Sequence, residues 1–125
     1  MSILLDSHAL LWALHDPGRM RPEAVERIRD PGRAVFYSAV SVWELELKAA
    51  KGKLTLPGEW LDAVRETGFL EIPVTGSSAR ASARLPWHHQ DPFDRVLVVQ
   101  AREQDLELAT RDTMLKRYGI RILEV

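Results

Sequence analysis

The chain has 125 residues, 46% hydrophobic and 28% charged, a composition that is typical of one globular domain (residues 1–125) and argues against disorder. It has no cysteine, which excludes disulfides and thiolate metal sites, and its formal net charge of −1 excludes an overall basic surface for nucleic acid. Because no apolar run reaches membrane-spanning length and no signal peptide is evident, we expect a cytoplasmic protein that does not enter a membrane.

The first predicted strand is the uninterrupted apolar run Ile3-Leu4-Leu5, which ends at Asp6. A strand with no polar face is typical of the centre of a parallel sheet that helices cover on both sides. Residues 7–14 are predicted to be helical, so Asp6 is placed at the carboxyl end of a central strand. That edge is where ligands bind in open α/β sheets.

The rest of the chain alternates between predicted helices and strands. Strands are predicted at residues 34–38, 69–74, 106–110 and 120–123, and helices at 22–29, 41–50, 59–66, 77–85, 91–103 and 111–118. Pro73 places the strand at 69–74 at an edge of the sheet. The alternation predicts a three-layer α/β/α domain, in which right-handed crossovers join the strands of a parallel sheet.

Each acidic residue near a predicted helix start has a structural explanation beside a chemical one. Asp6 is a favoured N-cap residue, and Glu44 completes the capping-box pattern that begins at Ser41. Asp94 and Asp112 lie in the first turns of their helices, where the helix dipole favours a negative charge.

The topology makes a shared role for these acids more plausible than their individual explanations suggest. Right-handed units start every helix at the carboxyl edge of the sheet, so Asp6, Glu44, Asp94 and Asp112 all fall on that edge. Clustered carboxylates repel one another unless a cation neutralises them or they take up protons. A set of oxygen ligands is what Mg²⁺ or Mn²⁺ prefers.

Cationic residues also admit two interpretations. Lys48 forms a favourable i,i+4 pair with Glu44, yet it could instead contact a phosphate. Arg95 and Arg111 each adjoin a candidate metal ligand, and we predict that they contact phosphates. The adjacent loop histidines His88-His89 are interpreted as exposed to solvent. Aromatic residues are interpreted as packing rather than as platforms for bases; they are Trp12, Trp43, Trp60 and Phe93.

Four short segments are individually weak signals, but their order and spacing are specific together. They are Leu4-Leu5-Asp6-Ser7-His8, Ser41-Val42-Trp43-Glu44 continuing through Lys48 to Gly52-Lys53-Leu54, His89-Gln90-Asp91-Pro92-Phe93-Asp94-Arg95, and Ala109-Thr110-Arg111-Asp112. With these segments, the chain resembles the PIN-domain ribonucleases over nearly its whole length, especially the VapC-like toxins of bacterial toxin–antitoxin pairs.

The resemblance implies a five-stranded parallel sheet in the order 3-2-1-4-5 and an endoribonuclease that depends on Mg²⁺ or Mn²⁺. It also implies an RNA substrate, a homodimer and a cognate antitoxin protein that covers the site. The catalytic and metal-binding residues that it implies are Asp6, Glu44, Asp94 and Asp112. Supporting roles would belong to Ser7, Asp91 and Thr110.

Two other function classes compete with a nuclease. A receiver-like phosphoacceptor domain needs an acidic pair at its site and a lysine at the end of a late strand. Here Asp6 has no acidic neighbour, and the last two strands end in Thr110 and Glu124. The other class is a non-catalytic RNA-binding scaffold, which incubation with RNA, with and without Mg²⁺, would distinguish from a nuclease.

Overall fold

The computed structural model describes residues 1–125, which form one parallel sheet with helices on both faces. The strands are β1 (Ile3–Leu5), β2 (Val35–Ser38), β3 (Leu70–Ile72), β4 (Glu107–Thr110) and β5 (Ile122–Glu124). The α-helices are α1 (Ser7–His15), α2 (Pro22–Arg29), α3 (Ala39–Ala50), α4 (Trp60–Glu66), α5 (Gly76–Arg84) and α6 (Pro92–Glu103). Two 3₁₀ helices cover Pro17–Arg19 and Thr113–Tyr118. None of these helices has the length and hydropathy that crossing a membrane requires.

The sheet has the order β3-β2-β1-β4-β5, and every neighbouring pair is parallel, which confirms the predicted topology. Leu4 of the central strand pairs with Phe36 of β2 and with Leu108 of β4. The strand order therefore reverses between β1 and β4, and their carboxyl ends flank the crevice where such sheets bind ligands. Receiver-like domains have the order 2-1-3-4-5, so the receiver-like alternative is excluded.

Side chains of the central strand enter two hydrophobic cores, one on each face of the sheet. Ile3 and Leu5 lie in the first core with residues of α1, α2 and α4, whereas Leu4 lies in the second with residues of α6. All three are completely buried, as a strand covered on both faces requires. The predicted three-layer α/β/α architecture is confirmed.

Helix α3 begins two residues earlier than predicted. Ser38, the last residue of β2, caps it by accepting a hydrogen bond from the Val40 amide at 3.1 Å. Ser41 is completely buried within the first turn, so the predicted capping box that began there is wrong. Glu44 lies in the second turn of the helix, where its carboxylate has no capping role and is free for other contacts.

Two candidate ligands do act as helix caps. Asp6 Oδ1 accepts from the Ala9 amide at 2.8 Å, and Asp112 Oδ1 accepts from the Met114 amide at 3.1 Å. The helix predicted at 111–118 is in fact a shorter 3₁₀ helix that starts after Asp112. It ends at Gly119, whose φ of 74° lies in the left-handed region that glycine adopts without strain.

Candidate active site

Five carboxylates line one cleft at the carboxyl ends of β1 and β4. The cleft has a volume of about 240 Å³, and the acids are contributed by the strand ends and by the starts of α3 and α6. They are Asp6, Glu44, Asp91, Asp94 and Asp112. The structure thus places all four predicted catalytic acids in one cleft, together with the three predicted supporting residues Ser7, Asp91 and Thr110.

Asp6 is buried in the cleft and serves both the fold and the site. Burial raises the pKa of its carboxyl above the ordinary value, and the negative charge of Glu44 adds to this shift. The Ala9 amide and the Thr110 side chain oppose it. Because the capping bond uses Oδ1 alone, the capping explanation and the ligand explanation of this residue are compatible.

Glu44 is held in place by a donor on each carboxylate oxygen. Ser7 Oγ donates to Oε1 at 2.5 Å, and Lys48 Nζ donates to Oε2 at 2.8 Å. The bond to Glu44 raises the pKa of Lys48, which favours its ammonium form. Ser7 therefore orients the carboxylate, and the predicted i,i+4 pair of Lys48 forms inside the cleft rather than on the open helix surface.

Asp94 lies in the first turn of α6, behind the capping residue Asp91. Burial raises the pKa of Asp94 to about 6, and the charges of Asp91 and Asp6 add to this shift, while His89 opposes it. The structure thus places Asp94 near enough to two further carboxylates for their charges to disfavour its ionisation. A cation in the cleft would relieve this repulsion.

His89 is the residue of this site that sequence reasoning missed. It was interpreted as exposed to solvent, but its side chain is only 23% exposed, and Nε2 lies 2.8 Å from Asp94 Oδ2 and 3.4 Å from Asp112 Oδ2. The sequence signal that could have identified His89 is its position five residues before Asp94, the third residue of α6. The adjacent His88 obscured this signal, because two consecutive side chains rarely face one ion and the pair was therefore interpreted as exposed.

The donor set fits a divalent metal ion. His89, Asp94 and Asp112 each offer one ligand atom, and these atoms all lie within 4.8 Å of one another. Asp6 and Glu44 are not part of this compact group, although Asp6 raises the pKa of Asp94 through its charge. Carboxylate oxygens in such number suit Mg²⁺ and Mn²⁺.

The predicted phosphate contact of Arg95 is wrong. This side chain is only 2% exposed, and its guanidinium lies 3.6 Å over the Trp87 ring. Its nitrogens donate to main-chain carbonyls at the end of α5 and in the following loop, at 2.7–3.1 Å; these belong to Ser82, Leu85, Pro86 and His89. Arg95 therefore fixes the loop that carries His89 and has no face toward the cleft.

Arg111, by contrast, does line the cleft. Its guanidinium lies 4.2 Å over the Trp12 ring, Nε donates to the Val125 carbonyl at 3.3 Å, and Nη2 donates to the Arg19 carbonyl. These contacts hold the cation at the rim while leaving Nη1 without a partner in the chain. Nη1 is therefore the guanidinium nitrogen that remains to contact a phosphate.

The predicted packing of the aromatic residues is only partly observed. Trp60 is buried in the first core. Trp43, in contrast, is 60% exposed, and its ring meets Phe93 edge-on at a centroid distance of 5.2 Å.

Comparison with known proteins gives consistent matches over the whole fold. The sequence model of the PIN domain matches residues 3–121. Ribonuclease VapC22 of Mycobacterium tuberculosis is 28% identical over 121 residues, which are 94% of this chain and 92% of that protein. The solved structure of VapBC2 from Rickettsia felis bound to a promoter DNA fragment matches with a TM-score of 0.69 and 15% identity, covering 99% of this chain and 98% of the other. FitAcB from Neisseria gonorrhoeae matches with a TM-score of 0.62 and 24% identity, covering 98% and 96%.

Replacing Asp94 by asparagine should stabilise the metal-free protein at neutral pH. The folded pKa of about 6 lies above the ordinary value of 3.8, so the folded state binds this proton more tightly than the unfolded state does. The stability that the proton confers is complete below about pH 4 and is lost as the pH rises through 6. In EDTA, Asp94→Asn should therefore melt with the wild type at pH 4 and be about 1 kcal/mol more stable above pH 7.

Melting curves from pH 4 to 8 measure this difference, with the exposed Glu26→Gln as the control that removes a charge elsewhere. A variant that is less stable than the wild type at pH 7.5 in EDTA would contradict the repulsion described here. It would mean that the lost contact with His89 outweighs the relief of charge.

Replacing Arg95 by methionine should lower the free energy of unfolding by about 2–4 kcal/mol, because it leaves several buried carbonyls without donors. Arg84→Met removes the same charge from an exposed position on α5 and should change the stability by less than about 0.5 kcal/mol. Urea unfolding followed by circular dichroism compares the two variants. Equal stabilities of the two variants would mean that the hydrogen bonds of Arg95 contribute little to the free energy of unfolding.

Proposed function

The chain belongs to the PIN-domain family, and we propose that it is a divalent-metal-dependent endoribonuclease that acts as the toxin of a toxin–antitoxin pair. The observation that carries this proposal is the convergence of Asp6, Glu44, Asp94 and Asp112 on one cleft whose charge needs a cation. The proposed reaction is hydrolysis of RNA phosphodiester bonds. Supporting the choice of RNA, the relative from Mycobacterium tuberculosis is named a ribonuclease and matches almost the whole chain.

In the proposed mechanism, each residue of the cleft has a distinct task. Asp6, Asp94 and Asp112 would hold Mg²⁺ or Mn²⁺ at the ends of the central strands, and Ser7 with Lys48 orients the carboxylate of Glu44. A bound divalent ion supplies an activated water and neutralises the charge that develops on the phosphate. Thr110 accepts a hydrogen bond from the Asp112 amide at 3.1 Å and so fixes the turn that presents this acid.

Substrate binding is assigned to the two cations at the cleft. Arg111 offers an unpaired nitrogen at the rim, and Lys48 keeps its ammonium form beside Glu44. A chain with a net charge of −1 attracts RNA only through such a local patch. Phosphates that flank the cleaved bond would therefore meet these two side chains.

A protein partner follows from the same proposal. The structural relative from Rickettsia felis is VapBC2, solved on DNA from the promoter of the pair. We propose that this chain pairs with a cognate antitoxin protein, which covers the cleft. We also propose that the chain itself forms a homodimer and acts in the cytoplasm. Coexpression with the adjacent reading frame, followed by purification of a complex, tests the partner.

RNA cleavage should require a divalent ion. The purified protein should cut a mixture of tRNA and rRNA with Mg²⁺ or Mn²⁺, should stop in EDTA, and should recover when the ion is added back, because the ion supplies the activated water. Asp94→Asn, purified in parallel, should be inactive and thereby exclude a contaminating nuclease. Full activity of metal-free wild type in chelator would contradict the metal mechanism, and no cleavage with any ion would favour the non-catalytic scaffold.

Replacing Arg111 by alanine should raise KM for RNA about tenfold with a small effect on kcat, since a charged hydrogen bond to phosphate is lost. Arg29→Ala, which removes an equal charge at an exposed position outside the cleft, is the matched control. Steady-state kinetics at two salt concentrations measure both. The same KM for the two variants would show that Arg111 acts only through its contacts with Trp12 and the C-terminal residue.

A further inference from the structure

His89 reaches the carboxylate cleft from a loop rather than from a strand end or a helix start. Nε2 lies 2.8 Å from Asp94 Oδ2 and 3.4 Å from Asp112 Oδ2, so one ring nitrogen faces two candidate metal ligands. The other loop histidine, His88, is exposed and packs edge-on against Tyr118, with ring centroids 5.1 Å apart. Of the two neighbours, only His89 contacts these acids.

The main chain of His89 is held by hydrogen bonds on both sides. The Tyr118 hydroxyl accepts from the His89 amide at 3.0 Å, and the buried Arg95 donates to the His89 carbonyl at 3.1 Å. Tyr118 in turn donates to the Pro86 carbonyl at 2.7 Å. These bonds fix the loop backbone from which the imidazole reaches the two acids.

Two distances between the donor atoms are close to those found between neighbouring ligands of one ion. Neighbouring ligands that lie about 2.0–2.1 Å from an octahedral ion are about 2.8–3.0 Å from each other. Of the two distances from Nε2, 2.8 Å falls in this range and 3.4 Å lies above it. All three ligand atoms also lie within 4.8 Å of one another.

We propose that His89 Nε2 is a further protein ligand of the divalent ion held by Asp94 and Asp112, and that this nitrogen makes the site select Mn²⁺ over Mg²⁺. The presence of an ion rests on the proposed function, whereas the nitrogen ligand is a separate claim. Mg²⁺ is bound almost entirely by oxygen, while imidazole adds affinity for transition metals. The competing explanation is that His89 only contacts Asp94 and stays outside the coordination shell.

Metal affinities of three proteins test the selectivity, measured by isothermal titration of the metal-free chain with MnCl₂ and MgCl₂. His89→Gln should weaken Mn²⁺ binding about tenfold or more and leave Mg²⁺ binding within about twofold, since magnesium gains little from a nitrogen ligand. His88→Gln, the matched control, should bind both ions as the wild type does. Equal losses of both ions in His89→Gln, or no loss of either, would overturn the proposal.

A spectroscopic measurement detects the bond itself and can be read first on the wild type. Electron spin echo spectra of the Mn²⁺-loaded wild type should contain modulation from an imidazole ¹⁴N, which should persist in His88→Gln and vanish in His89→Gln. Bound Mn²⁺ without this modulation would overturn the nitrogen ligand and leave the proposed nuclease intact. A wild type that neither binds Mn²⁺ nor cleaves RNA would overturn both.

Discussion

Repulsion among carboxylates at one edge of the sheet is the constraint on which the rest of this structure depends. Strand order reverses between β1 and β4, and the helices that follow the strands start at the same edge. Acidic residues that suit helix starts are thereby brought together, and their charges disfavour one another. The protein offsets this cost locally: Lys48 neutralises Glu44, His89 contacts Asp94, and Arg111 closes the rim.

The acids show how one side chain can stabilise a fold and still serve a site. A carboxylate has two oxygens, and a helix cap needs only one of them. Asp112 uses Oδ1 for the Met114 amide while Oδ2 faces His89. The choice between a structural and a chemical explanation, which the sequence leaves open, therefore does not have to be made for this residue.

The edge on which the acids meet could be predicted from the alternation of strands and helices. The sheet order could be predicted only from the family resemblance that the motif set carries. Arg95 and His89 could not. Consecutive residues on an α-helix point about 100° apart, so Arg95 faces the loop although its neighbour Asp94 faces the cleft. The position of His89 depends on the path of its loop, which is set by Tyr118 and Arg95. Tyr118 is distant from His89 in the sequence, and the role of Arg95 was predicted incorrectly. Tertiary contacts of this kind leave no periodic signal.

The anchor around Arg95 has an evolutionary consequence. The buried guanidinium donates hydrogen bonds to main-chain carbonyl oxygens between Ser82 and His89. Because every amino acid has a main-chain carbonyl, these bonds do not depend on the side chains of that stretch. Exposed side chains in that stretch that do not contact the guanidinium, such as Arg84, can therefore diverge under selection without loosening the anchor. Homologous chains can therefore change the surface of this loop beside the cleft, and with it what they recognise, while the position of His89 is kept.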